Sequence, residues 1–162
     1  MHDGRASVLV VDDNLGFVRV VRAVLEEPPE EFYVHTAHSG SRAIAWLEEA
    51  CTRPGARRPA FVVLDFHLPD MDAPMVLATL RGDPRTRDVP VLVVSQGGWE
   101  EDESCALSAG ACAFRVKPAA IRELRTSLAD FWRSIRDADV DSLDRGPSED
   151  GRPARAHAVG RG

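Results

Sequence analysis

Five short apolar runs alternate along the chain with five longer stretches whose apolar residues recur at helical spacing. Ser7 to Val11 predicts a first strand, ending in Asp12-Asp13. From about Asn14 to Glu27, Phe17, Val21, Val24 and Leu25 share one helical face. Pro28-Pro29 stops that helix, since neither residue can donate a backbone hydrogen bond. Phe32 to Ala37, aromatic and β-branched, predicts a second strand. Gly40-Ser41 opens a second helix marked by Ile44, Leu47 and Cys51, and Thr52 to Pro59 reads as a loop. The third strand, Ala60 to Leu64, is apolar throughout, as a strand covered on both faces should be. The loop Asp65 to Ala73 leads to a third helix with Pro74 in its first turn, ended by Gly82 and Pro84. Val89 to Ser95 is the fourth strand. Gly97-Gly98 connects it to a fourth helix, about Trp99 to Ala109, which Gly110 ends. Cys112 to Val116 is the fifth strand. A fifth helix, about Ala119 to Arg136, carries the stripe Ile121, Leu124, Leu128, Phe131 and Ile135.

This alternation predicts an α/β fold: a doubly wound, five-stranded parallel sheet of order 2-1-3-4-5 with right-handed crossovers. It fills residues 1–138 as one domain. Residues 139–162 shift to Gly, Pro, Ser, Arg and Asp and are expected to form a disordered tail.

In such a sheet all strand C-termini lie on one edge. Asp12-Asp13, Asp65, Ser95 and Lys117-Pro118 each follow a strand, so they should converge, with both sets of acids flanking the switch point between strands one and three. Any one of them alone reads more simply: the acid pair as a helix cap, Ser95 as a strand-end hydroxyl, Lys117 as a surface lysine. Together they are harder to dismiss. Two charges about 4 Å apart cost roughly 4 kcal/mol at an effective dielectric near 20. A cluster of carboxylates therefore needs a cation or shifted pKa values. Oxygen ligands with open positions suit Mg²⁺, a carboxylate can attack phosphorus, and an ammonium can offset charge on the transferring oxygens.

Composition narrows the partners. The chain has 162 residues, 44% hydrophobic and 28% charged, with a formal net charge of −6. That balance argues against a body that binds nucleic acid through bulk charge. No apolar run approaches a membrane span, and the first residues lack the apolar stretch of a secretory signal. Cys51, Cys105 and Cys112 have no metal-type spacing and read as three small buried hydrophobes of a reducing, cytoplasmic protein. Glu100 to Glu103 suits the start of a helix dipole. Trp99 beside it is a candidate protein contact.

Residues 6 to 137 resemble the CheY-like receiver domain of bacterial two-component response regulators, a flavodoxin-like fold. The resemblance rests on Val10-Val11-Asp12-Asp13-Asn14, on Leu64 to Asp72, on Val94-Ser95, and on Ala109-Gly110-Ala111 through Phe114-Arg115-Val116-Lys117-Pro118. The spacings agree too: thirty residues from Asp65 to Ser95 and twenty-two from Ser95 to Lys117. It implies that Asp65 is the phosphoacceptor, charged by a phosphohistidine on a sensor histidine kinase or histidine phosphotransfer protein. It implies Mg²⁺ held by Asp13 and Asp65, by Asp12 through water, and by the His67 backbone carbonyl. Ser95 and Lys117 would bind phosphoryl oxygens. Phe114 would be the aromatic switch, turning inward when the Ser95 hydroxyl moves and reshaping the face of helix four, strand five and helix five toward a downstream protein. The Lys117-Pro118 bond would be cis.

The resemblance thus implies a stand-alone phosphorylation switch, not an enzyme with a separate substrate, and the charge balance and apolar runs add that neither nucleic acid nor membrane is expected as a partner. Gln96, where receivers usually carry a small residue, and the solvent-facing His67 are expected to modulate the pocket. Ala73-Pro74 should stiffen the loop after Asp65. A phosphorylation-independent pseudo-receiver or adaptor is the alternative that Gln96 favours and the intact acids and Lys117 oppose. An aspartate-nucleophile phosphatase of the haloacid-dehalogenase type would want an Asp where His67 stands.

Overall fold

The computed structural model describes residues 4–144, with side chains through Val140. Its elements follow in strict alternation: β1 Ser7–Val11, α1 Leu15–Leu25, β2 Tyr33–Ala37, α2 Gly40–Thr52, β3 Phe61–Asp65, α3 Ala73–Gly82, β4 Val91–Ser95, α4 Glu100–Ser108, β5 Ala113–Val116 and α5 Ile121–Asp144. The sheet is parallel throughout and its order is β2-β1-β3-β4-β5, as the alternation predicts.

Strand residues divide by parity between two cores, because successive side chains point to opposite faces. Leu9, Val11, Val62, Leu64, Val91 and Val93 pack with Leu47 of α2, Val76, Leu77 and Leu80 of α3, and Ala106 of α4. Val8, Val10, Phe61, Val63, Leu92 and Val94 pack with Val18, Val21 and Val24 of α1 and Leu124, Leu128 and Phe131 of α5. All five residues of β1, β3 and β4 are buried. Burial of each such Val or Leu contributes roughly 1.5–3 kcal/mol, and together they fix the rim on which the strands end.

Local signals set the helix starts. Asn14 caps α1, its side chain accepting from Phe17 N–H at 3.1 Å. Ser39 caps α2 through Arg42 N–H at 3.3 Å. In α4 the apolar grip is slight, since only Ala106 is buried, and its first turn carries four acids without a side-chain cap. Its far end is held by Arg81 of α3. That half-buried guanidinium donates to the carbonyls of Gly110, Arg87 and Val89 at 2.8–3.1 Å. Gly110 has φ +107, and a Cβ there would stand 2.9 Å from Arg81 Nε, so both backbone conformation and space call for glycine.

Two expectations change. Helix α5 does not stop near Arg136 but runs to Asp144. Residues 139–144 contain neither Gly nor Pro, and the first breakers are Gly146 and Pro147, so composition averaged over the segment hid a helical continuation. The rest of the expected tail lies outside the described residues. Of the three cysteines, Cys51 is half-buried while Cys105 and Cys112 are exposed, because α4 buries so little of itself and Cys112 sits in the turn before β5. Among the described residues no helix is long and apolar enough to cross a membrane.

Candidate functional site

The rim formed by the C-terminal ends of β1, β3, β4 and β5 gathers the residues singled out above. Asp12 is fully buried. Its N–H donates to Ala37 O, and its Oδ1 accepts from Asn14 N–H at 2.8 Å. Its Oδ2 lies 2.7 Å from Lys117 Nζ, a close charged contact. Asp65, the last residue of β3, is 6% exposed and holds Lys117 Nζ at 3.1 Å through Oδ1. Asp13 is exposed. One carboxylate oxygen from each of Asp12, Asp13 and Asp65 lies within 4.8 Å of the others.

Three clustered acids, two of them paired with one ammonium, leave a surplus of negative charge, and Asp65 registers it. Burial first, then the Asp12 carboxylate, push its pKa up to about 6, with Lys117 pulling the other way. Lys117 shows the mirror image. Burial alone would lower its pKa, but the contacts with Asp12 and Asp65 outweigh burial and raise it. The ammonium also lies over the Phe17 ring, 4.5 Å from the centroid. Sequence periodicity assigned Phe17 to the core, and only the fold shows it walling the pocket.

Ser95 ends β4, is 2% exposed and accepts Lys117 N–H on its carbonyl at 2.7 Å. Its hydroxyl has only a long contact from Gly97 N–H, at 3.5 Å. Gln96 beside it is exposed. Phe114 is 5% exposed and packs edge-on against Phe66, centroids 6.3 Å apart. In this structure the ring is already buried. The Lys117-Pro118 peptide is trans, contrary to expectation. Trans is the lower-energy isomer, and from it the Lys117 ammonium already reaches both acids.

His67 faces solvent as expected, but it is not idle. Nδ1 lies 3.1 Å from Asp72 Oδ1, and Nε2 lies 3.7 Å from Asp102 Oδ2 of α4, a buried oxygen without a hydrogen bond. Two further residues escaped sequence reasoning. His38 Nδ1 lies 3.0 Å from Asp12 O, a carbonyl that can only accept. The Asp70 carboxylate accepts from Gly40 N–H and Ser41 N–H at 2.8 and 2.9 Å. No local pattern marks either, since their partners lie 26 to 30 residues away.

Comparison with known proteins places this geometry. The family model of the response regulator receiver domain matches residues 8–129. The response regulator PleD of Caulobacter vibrioides is 34% identical over 113 residues, 70% of this chain and 23% of PleD. The cyclic di-GMP phosphodiesterase response regulator RpfG of Xanthomonas campestris pv. campestris is 32% identical over 125 residues, 77% of this chain and 31% of RpfG. The chain thus spans less than a third of these curated relatives' own length. Among solved structures, the phosphorylated cyanobacterial phytochrome response regulator RcpA superposes with a TM-score of 0.71 at 27% identity, covering 82% of this chain and 96% of RcpA. With its five-stranded parallel sheet, its rim of acids and these matches, the chain belongs to the response regulator receiver domain family.

Proposed function

We propose that this receiver accepts a phosphoryl group on Asp65 from a phosphohistidine of a sensor histidine kinase or a histidine phosphotransfer protein, in a Mg²⁺-dependent reaction. The observation that carries the proposal is the clustering of the Asp12, Asp13 and Asp65 carboxylates within 4.8 Å of one another, two of them, Asp12 and Asp65, paired with the Lys117 ammonium. The donor set fits the ion, since all three side chains offer oxygen and their charge exceeds what Lys117 offsets. Asp13 and Asp65 would hold Mg²⁺ through side chains, Asp12 through water, and His67 through its backbone carbonyl. When bound, the ion would supply Lewis-acid stabilisation of phosphoryl oxygens.

Asp65 enters the reaction as a carboxylate. With a pKa of about 6, roughly nine-tenths of it is ionised at pH 7. One of its oxygens forms the new P–O bond as the P–N bond to the donor imidazole breaks. The electron pair of that bond stays on the imidazole nitrogen, which takes up a proton. Lys117 exchanges its contact with Asp65 Oδ1 for a phosphoryl oxygen, and the weakly engaged Ser95 hydroxyl donates to another. Phosphorylation adds nearly two negative charges and can shift a population only by favouring one packing over another. The surface that reads the shift is the α4–β5–α5 face, where Trp99, Val116 and Ile121 are exposed and where a downstream protein would dock.

The test is incubation with acetyl phosphate and Mg²⁺, followed by intact mass measurement. The chain should gain one phosphoryl group, and Asp65→Asn or addition of EDTA should prevent it. Full labelling of the Asn variant would remove Asp65 as acceptor. No labelling of the unaltered chain would favour a phosphorylation-independent adaptor.

A further inference from the structure

The acids of the site stand on two separate segments: Asp12 and Asp13 on the β1–α1 turn, Asp65 as the last residue of β3, which the β3–α3 loop follows. One short segment touches both. The β2–α2 turn, His38 to Ser41, reaches the first through His38, whose Nδ1–H donates to the Asp12 carbonyl at 3.0 Å. It reaches the second through Asp70, which accepts from the Gly40 and Ser41 amides at 2.8 and 2.9 Å. Packing repeats the connection independently of these bonds. A Cβ on Gly40 would stand 2.4 Å from Met71 Cγ and 2.7 Å from Met71 Sδ, so the Met71 side chain of the loop packs directly on the backbone of the turn, in the space a Cβ would fill.

A simpler account would make Asp70 an ordinary helix cap. Helix α2 already has one, because Ser39 Oγ accepts the Arg42 amide. Asp70 comes from thirty residues away and takes two further amides of the same end, so what its grip adds is the location of the loop. That carboxylate is well suited to a permanent hold. Hydrogen bonds from Ser41 and then Gly40 lower its pKa to about 2, so it is charged at neutral pH.

We propose that His38 and Asp70 are positioning residues of the acid pocket: through the β2–α2 turn they fix the β1–α1 turn against the β3–α3 loop, and so fix the spacing of the carboxylates for a divalent cation. The inference rests on the metal reading given above. Groups that orient metal ligands from behind usually matter to affinity about tenfold or more when removed.

The experiment uses the full chain, with Mg²⁺ alone titrated calorimetrically into His38→Ala, Asp70→Ala, Asp70→Asn and the double Ala variant. Amide hydrogen exchange in EDTA runs in parallel. Asp70→Ala should speed exchange at Gly40 and Ser41 about tenfold, the loss expected for a terminal helix contact, and weaken Mg²⁺ binding about tenfold. Asp70→Asn, which keeps one acceptor oxygen, should fall between. The double variant should lose less than the product of the single losses, since both act through one turn. Faster exchange with Mg²⁺ affinity within about twofold of the unaltered chain would overturn the proposal, and so would losses that multiply independently. Absence of Mg²⁺ binding by the unaltered chain would instead strike the metal reading and take this inference with it.

Discussion

Replacing Asp65 by Asn should make the metal-free protein more stable at neutral pH, although it removes the proposed acceptor. The Asp65 pKa stands at about 6 against an ordinary 3.8, so ionising this side chain is harder in the folded chain than in the unfolded one. At about 1.4 kcal/mol per unit, that is about 3 kcal/mol of lost stability once the group is ionised. The sign follows from proton uptake. Below pH 3.8 the group is protonated in both states and the cost is absent. It grows between 3.8 and about 6 and is complete above 6. An Asn of the same shape abolishes it but weakens one contact of Lys117, which keeps Asp12 at 2.7 Å and the Phe17 ring. We therefore expect a net gain of about 2 kcal/mol at pH 7. Urea unfolding in EDTA, followed by tryptophan fluorescence, measures it directly. The advantage should shrink below about 1 kcal/mol near pH 4.5, and saturating Mg²⁺ should reverse the ranking by stabilising only the unaltered chain. An Asn variant no more stable at pH 7, or a gain that persists unchanged at pH 4.5, would refute the reasoning.

Phe17→Leu removes the ring over Lys117 and should cost about 1 kcal/mol. It should also speed acylation of Lys117 by an amine reagent, read by peptide mass, and unchanged reactivity would count against the contact. Arg81→Lys should cost about 2 kcal/mol in urea unfolding, because a single ammonium cannot span the three carbonyls the guanidinium holds. Acetyl phosphate should still label that variant, and a loss of labelling would mean the clamp reaches the pocket after all. Gln96→Ala opens the surface beside Ser95 and should accelerate phosphorylation from a small donor or subsequent phosphoryl loss. Both rates remaining as they were would show that Gln96 does not crowd the pocket.

The sheet order and the gathering of Asp12, Asp13, Asp65 and Lys117 were legible in the sequence for one reason. Parallel strands with helical crossovers must end on a common rim, so residues that merely follow apolar runs become neighbours in space. What periodicity could not supply were through-space partners with no local signature. Phe17 looked like any apolar residue of α1. Arg81, in the last turn of α3, binds carbonyls of two other segments that lie six or more residues away. Cysteine burial failed because residue type carries an average tendency, whereas Cys105 and Cys112 sit where the structure happens to be thin. The isomer of Lys117-Pro118 is a choice between states about 0.5–1 kcal/mol apart, which a pattern of residue types does not distinguish.

The parity of the central strands sets a rule for how this protein can change over generations. Each residue of β1 or β3 serves one of two cores, and its neighbour serves the other. A single inserted residue would exchange every following side chain between them and slide the terminal acid past its partners. Inheritance thus finds the count of residues leading to Asp12 and Asp65 locked together with the chemistry.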